Sequence, residues 1–276
     1  MEMLSALKEG FQWPAVGLGI YQATNKELRQ AVEKALELGY RAFDTAPYYG
    51  NEAQLGDILR HSGLKRETLR IATKLPNGAH RYADALKACE LSMKALQTDY
   101  LDLYMIHWPM PVQNLYPEAW KALLSLRDKG CIRFAAVSNF TEVHLRRLYQ
   151  ETGEYPVLNQ VELHPLMNQE PLRTFCQKEK ILVQAYAPLM SAKITEGKAI
   201  ETLDEIAAHH QRTRAQIILR WDYQNGVAVI PKSVNAKRLE ENIRLFDFKL
   251  SESEMEEIRQ LHQGFRLHPD PDRMEK

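Results

Sequence analysis

The 276-residue chain has only three cysteines, Cys89, Cys131 and Cys176, scattered and without a Cys-x-x-Cys pair. An odd, dispersed set gives no disulfide framework and reads as buried or idle thiols of a reducing cytoplasm. There is no excess of either charge: Lys plus Arg and Asp plus Glu are 36 each. No global field therefore draws the chain to nucleic acid or to an anionic membrane. No apolar run approaches the length of a membrane span. The opening MEMLSALKEG carries acids and lacks a charged-then-apolar pattern, so no secretion is expected. There is no HExxH, and His209-His210 reads as a solvated pair on a helix, so no metal set is expected. The glycine fingerprint of a doubly wound dinucleotide fold is incomplete. GLGIYQ (17–22) lacks the third glycine and leads into a polar loop rather than a helix.

What is present is alternation. Apolar residues make up 45% and charged residues 26%, an ordinary composition with enough material for a large core. Eight short apolar or β-branched runs recur: AVGLG (15–19), YRAFD (40–44), LRIATK (69–74), YLDLYMIH (100–107), IRFAAVSN (132–139), VLNQVEL (157–163), ILVQAY (181–186) and VAVIPK (227–232). Most are followed by a stretch with helical period. Thr24 and Glu27 fit a capping box, Asn51 and Asn235 fit helix caps, segments 80–97, 117–129 and 141–150 read as helices, and Ser251 with Glu254 opens a last one. Eight strand–helix units without a linker predict an α/β fold in one domain over 1–276, a (β/α)8 barrel of the TIM type. SALKEGFQWP predicts a β-hairpin ahead of strand one, plugging the barrel floor, and the chain closes on a short C-terminal tail.

In such a barrel the C-terminal ends of the strands line the functional mouth. Read in order, those ends carry Asp44, Lys74, His107, Ser138 with Asn139, Gln160, Tyr186, and Lys232 with Ser233. Each has a bland explanation, such as a turn cap, a solvated amine or a satisfied imidazole. Hydrogen-bonding side chains in register around one rim call for a shared one. Asp44 and Lys74 on adjacent ends can pair, and Tyr49 can fold back over the same mouth. A phenol near its ordinary pKa of ~10 is a poor acid at neutral pH, and a neighbouring cation is expected to lower it. With His107 aimed at a substrate oxygen, the set forms a proton donor for a developing alkoxide, which suits carbonyl reduction. In SVNAKRLEEN (233–242), Lys237 and Arg238 fall in a first helical turn, where cations oppose the helix dipole. An anion docked there would remove the conflict, a phosphate site at strand eight; a basic surface patch is the plain alternative.

FDTAPYYGNE, IATK, MIHWP, AAVSNF, LNQVELHP and VIPKS, spread over nearly the whole chain, resemble the aldo-keto reductases, most of all the short bacterial members of the 2,5-diketogluconate reductase group. The resemblance implies a cytoplasmic, monomeric, NADPH-dependent reductase of small carbonyl compounds. It makes Tyr49 the general acid, with Asp44 and Lys74 tuning it and His107 orienting the carbonyl. Ser138, Asn139 and Gln160 would hold the nicotinamide carboxamide and Tyr186 would stack on its ring. Leu189 and Ser191 would lie over the pyrophosphate. Lys232, Ser233 and Arg238 would grip the 2′-phosphate, with Glu241 and Asn242 at the adenine. Tyr21, Tyr48 and Trp108 would line the substrate pocket. The chain departs from the family's pattern at Ile20, where a threonine is frequent, at Met190, where glycine is usual, and at Pro76, where an aromatic is common. Its short tail implies an open pocket wall. Two other readings stand beside this one: a barrel lyase forming a Schiff base on Lys74, which Asp44 disfavours by keeping the amine charged, and a cofactor-binding regulatory module with little turnover.

Overall fold

The computed structural model describes residues 2–4, 10–190 and 197–274. Eight parallel strands occur in the predicted order: β3 (Leu18–Gly19), β4 (Ala42–Asp44), β5 (Arg70–Leu75), β6 (Leu101–Ile106), β7 (Ile132–Ser138), β8 (Leu158–Glu162), β9 (Leu182–Tyr186) and β10 (Ala228–Val229). They follow a small antiparallel pair, β1 (Met3–Leu4) and β2 (Trp13–Pro14). The sheet closes where Val16 bridges Val229, with Gly17 N–H donating to Val229 O at 2.8 Å and Val229 N–H to Ala15 O at 2.8 Å. Gly19 is required at this seam, because a Cβ there would sit 2.9 Å from the Ile230 carbonyl oxygen.

The strands read as continuous apolar runs because both of their faces are covered. Alternation still sorts their side chains. Ile71, Tyr104, Ile106 and Val137 point outward into the core shared with the helices. Ala72, Leu103, Met105, Ala136, Leu158, Leu182 and Ala228 point inward and pack with Phe11 and Trp13. The predicted hairpin is therefore present as β1 and β2, and its aromatic end fills the barrel floor, with Phe11 edge-on to Phe134 at 4.8 Å. Residues 5–9 of that segment lie outside the described residues.

Ten α-helices are present among the described residues: α1 (Asn25–Glu37), α2 (Glu52–Arg60), α3 (Tyr82–Ala95), α4 (Tyr116–Asp128), α5 (Glu142–Thr152), α6 (Glu170–Lys178), α7 (Lys198–His210), α8 (Arg214–Gln224), α9 (Ala236–Ile243) and α10 (Glu252–Arg259). The caps at Asn235 and Ser251 form as the sequence predicts, the latter with its full capping box. The box expected at Thr24 does not form: its side chain makes no cap hydrogen bond, and Asn25 enters α1 with φ 50°. Asn51 precedes α2 without capping it, because its amide is used elsewhere. Helices α6, α7 and α8 were not delimited by the sequence pattern.

Candidate active site

The inner face of the barrel changes character along each strand. Two residues beyond the apolar layer, on the same face, come Lys74 after Ala72, His107 after Met105, Ser138 after Ala136, Gln160 after Leu158 and Gln184 after Leu182, and Asp44 likewise follows the buried Ala42. The period of two thus lifts a ring of polar groups onto an apolar floor. Gln184 belongs to this ring and was missed from the sequence, although its spacing from Tyr186 gives it away.

Lys74 is 1% exposed, and its Nζ donates to Asp44 Oδ1 at 2.5 Å and to the Thr45 carbonyl at 3.0 Å. The other oxygen of Asp44 accepts from Gln160 Nε2 at 2.8 Å, and the same nitrogen reaches Gln184 Oε1 at 2.9 Å. Burial alone would depress the lysine pKa, but the adjacent Asp44 carboxylate and the Tyr49 phenol outweigh it and raise the pKa above its ordinary value.

Tyr49 stands on a single 3-10 turn, Pro47–Tyr49, that Gly50 ends at φ 68°. The turn is held from behind by Asn51. Its Oδ1 accepts from Thr45 Oγ1 at 2.7 Å, and its Nδ2 donates to the carbonyls of Ile20 and Ala23 at 2.9 and 3.0 Å. This clamp, also missed from the sequence, ties the turn to the loop carrying Tyr21, whose ring meets that of Tyr49 at 5.0 Å. The Lys74 amine lies 5.0 Å from the centre of the Tyr49 ring. The expected net lowering of the Tyr49 pKa is not found. Burial pushes the phenol up, Lys74 opposes it, and the sum stays above the ordinary value.

His107 faces the same space, its ring 6.2 Å from that of Tyr49 and 6.5 Å from that of Trp108. Burial, and then the Lys74 charge, lower its pKa to about 3, so it is a neutral imidazole with one N–H to donate. Trp108 is 8% exposed and Tyr21 41%, whereas Tyr48 is 79% exposed on the outer side of the turn.

The next sector is one hydrogen-bonded unit. Asn139, at φ 64°, donates through Nδ2 to the His107 carbonyl at 3.0 Å and to Ser138 Oγ at 3.1 Å, and accepts from the Tyr186 hydroxyl at 2.8 Å. Ser138 Oγ in turn donates to the Gln160 carbonyl at 2.9 Å. A further pair missed from the sequence continues the series of alternating polar residues after Gln160. Glu162 accepts from the backbone N–H of Leu267 at 2.6 Å and of His268 at 3.0 Å, and lies 3.1 Å from His164 Nε2. It thereby fastens the tail against Tyr186, whose ring meets that of His268 at 5.1 Å.

Beyond β9, Leu189 packs on the core and Met190 is buried with φ 56°, the left-handed region a glycine would enter freely. Ser191 lies outside the described residues. At the start of α9, Lys232 and Arg238 are exposed, and Ser233 Oγ accepts from Asn235 N–H at 3.2 Å. The helix's own carboxylates are engaged by other cations, Glu241 with Lys237 at 3.8 Å and Glu240 with Arg244 at 2.7 Å. Asn242 is buried at 3%. The candidate site residues thus divide between a buried hydrogen-bonded cluster at the mouth and an open basic helix start whose charge would suit a phosphate.

Comparison with known proteins assigns the chain a family. The sequence model of the Aldo/keto reductase family matches residues 15–263. The chain is 44% identical over 270 residues to the methylglyoxal reductase DkgA of Escherichia coli O157:H7, covering 96% of each. Among solved structures it is similar to Gox0644 in its apo form, with TM-score 0.92 and 40% identity over 98% of this chain and 97% of that one. It is also similar to a Bombyx mori aldo-keto reductase in complex with NADP, with TM-score 0.90 and 34% identity over 98% and 96% of the two chains. The chain belongs to the aldo/keto reductase family.

Proposed function

We propose that the protein is an NADPH-dependent reductase of aldehydes and ketones, acting on small aldehydes, α-dicarbonyls or keto-sugars, with Tyr49 as general acid. The reading is supported by the buried Asp44–Lys74 pair at 2.5 Å, with the Tyr49 ring 5.0 Å from its amine. NADPH, when bound, supplies the hydride. Lys232, Ser233 and Arg238 would hold its 2′-phosphate, a fork-shaped guanidinium favouring NADPH over NADH, with Glu241 and Asn242 at the adenine. Leu189 and Ser191 would cover the pyrophosphate, and Tyr186, Asn139, Ser138 and Gln160 would seat the nicotinamide. The exposed cations Lys232 and Arg238 fit such a guest.

The remaining chemistry is the chain's own. His107, neutral, donates its ring N–H to the carbonyl oxygen and orients it. The raised pKa of Tyr49 keeps its proton in place at neutral pH until the oxygen gains charge. Lys74, held charged by Asp44, then stabilises the phenolate left behind. That fixed charge makes a Schiff base on Lys74 the weaker reading. Tyr21 and Trp108 wall the substrate space, and Tyr48 contributes at its rim. The α-dicarbonyl preference takes support from the methylglyoxal reductase relative. In this reading the enzyme works as a single-domain cytoplasmic monomer.

The test is loss of NADPH absorbance on methylglyoxal and on a panel of small carbonyls, beside NADH. Tyr49→Phe is expected to lower kcat by about 10²–10⁴-fold while leaving NADPH affinity, read by fluorescence quenching, unchanged. A variant that keeps the wild-type rate would refute the proton-donor role.

A further inference from the structure

On the outer helical layer, away from the mouth, the end of α7 meets the start of α10. His209 Nδ1 and His210 Nε2 each lie 2.9 Å from the same atom, Oε1 of Glu254. The three donor atoms fall within 4.8 Å of one another. Consecutive helical residues point about 100° apart, and the two rings meet the same oxygen through different nitrogens, His209 through its near one and His210 through its far one. The carboxylate is fixed from its other side, Oε2 accepting from the Ser251 N–H at 2.7 Å and from its hydroxyl at 2.9 Å. Glu254 therefore caps α10 with one oxygen and presents the second to the two imidazoles. It is 8% exposed, while His209 faces water. Hydrogen bonds from Ser251 and both rings overcome the opposing effect of burial and hold the carboxyl at about 2, so it carries its charge at any neutral pH. An open groove lined by Trp221, Gln224, Asn225, Leu250 and Met255 runs past the cluster and gives water a way in.

The geometry points to a divalent transition-metal site, with His209 Nδ1, His210 Nε2 and Glu254 Oε1 as protein ligands and a water as the fourth, stapling α7 to α10. Two imidazoles and one carboxylate suit zinc and its neighbours better than magnesium or calcium. Tetrahedral bonds of about 2.0–2.2 Å place ligand atoms roughly 3.3 Å apart. The 2.9 Å contacts need to open by a few tenths of an ångström, and the two ring nitrogens, which lie within 4.8 Å of each other, need to close by up to about 1.5 Å, a movement that rotation of the exposed His209 ring can supply. The sequence had offered this pair as solvated side chains. Glu254, 44 residues further on from His210, is what the linear pattern hid.

Equilibrium binding of Zn²⁺ to the full chain, stripped with EDTA and dialysed, tests the site, with Co²⁺ as the optical probe. One zinc per chain is expected, with a thermal midpoint raised by a few degrees at saturation. Co²⁺ should give the visible bands of a four-coordinate ion. His209→Ala, whose side chain is exposed and whose loss leaves the fold intact, should weaken binding at least about tenfold and abolish those bands. Glu254→Gln, which keeps an acceptor for the cap, should do the same. Binding unchanged in both variants, or no binding at hundreds of micromolar zinc, would leave the cluster as a hydrogen-bonded clamp and overturn the proposal.

Discussion

Two buried aspartates sit at opposite ends of the barrel and are used differently. Asp44, at the mouth, has one cation, and that cation is as buried as itself. Asp102, near the opposite end of β6, is shared by Arg66 at 2.7 Å, Arg133 at 3.4 Å and Arg70 at 3.8 Å, and its Oδ2 also accepts the Ile71 N–H at 3.0 Å. The guanidinium groups of Arg66 and Arg133 flank the Tyr100 ring at 4.1 and 4.4 Å, half open to solvent. At that end the cations are permanent and redundant, so the cluster fastens neighbouring strands and tolerates loss of one member. At the mouth the pair is buried and single, and its ammonium lies 5.0 Å from the centre of the Tyr49 ring. A redundant network builds a frame; a one-to-one pair positions a charge.

Breaking the mouth pair has the largest expected effect. Lys74→Met removes the charge beside Tyr49 and leaves Asp44 buried and unpaired, so kcat should fall by about 10²–10⁴-fold and stability by about 3–5 kcal/mol, read by steady-state assay and by urea unfolding. Asp102→Asn should divide these readouts. The arginines can turn to solvent, so the cost in urea is expected at about 1–3 kcal/mol, with kcat/KM unchanged. A fall in kcat/KM matching that of Lys74→Met would erase the distinction between the two ends. Acid offers a gentler test. Between the ordinary histidine pKa and about 3, the unfolded chain binds a proton at His107 that the folded chain refuses. Stability contributed there is full above about 6.5 and is lost as pH falls, at no more than about 1.4 kcal/mol per pH unit. His80, also buried and lowered to about 4, adds in the same direction. Rate profiles should show no His107 inflection between about pH 5 and 8. Smallest is Arg133→Ala, 40% exposed and one of three partners, expected to cost under about 1 kcal/mol in the same urea assay.

The strand count, the barrel, the plugging hairpin and the gathering of Asp44, Tyr49, Lys74 and His107 at one mouth were legible because each rests on local periodicity: apolar runs, a period of two, and polar residues where runs end. What failed to show depended on partners distant in sequence. Asn51 looked like a helix cap because its residue type suits one. Only the fold brings the Ile20 and Ala23 carbonyls within its reach. Glu162 looked like one more strand residue, and its role needs a tail more than 100 positions away. The sign of the Tyr49 shift was misjudged for a related reason. A neighbouring lysine can be guessed from spacing, but the depth of burial that outweighs it belongs to the assembled barrel. Helix α8 was readable and overlooked, since Thr213 and Gln216 form a full capping box at its start. Helix α6 opens on Gln169 in a left-handed conformation without a side-chain cap and carries no such signature.

The aromatic stopper formed by Phe11 and Trp13 makes the interior a one-ended vessel. Shortening Trp13 to alanine would leave a dry hollow beneath the ring of polar side chains, bounded by hydrocarbon and too apolar to hold water. Xenon or benzene could lodge there, a marker in the floor below the Asp44–Lys74 pair.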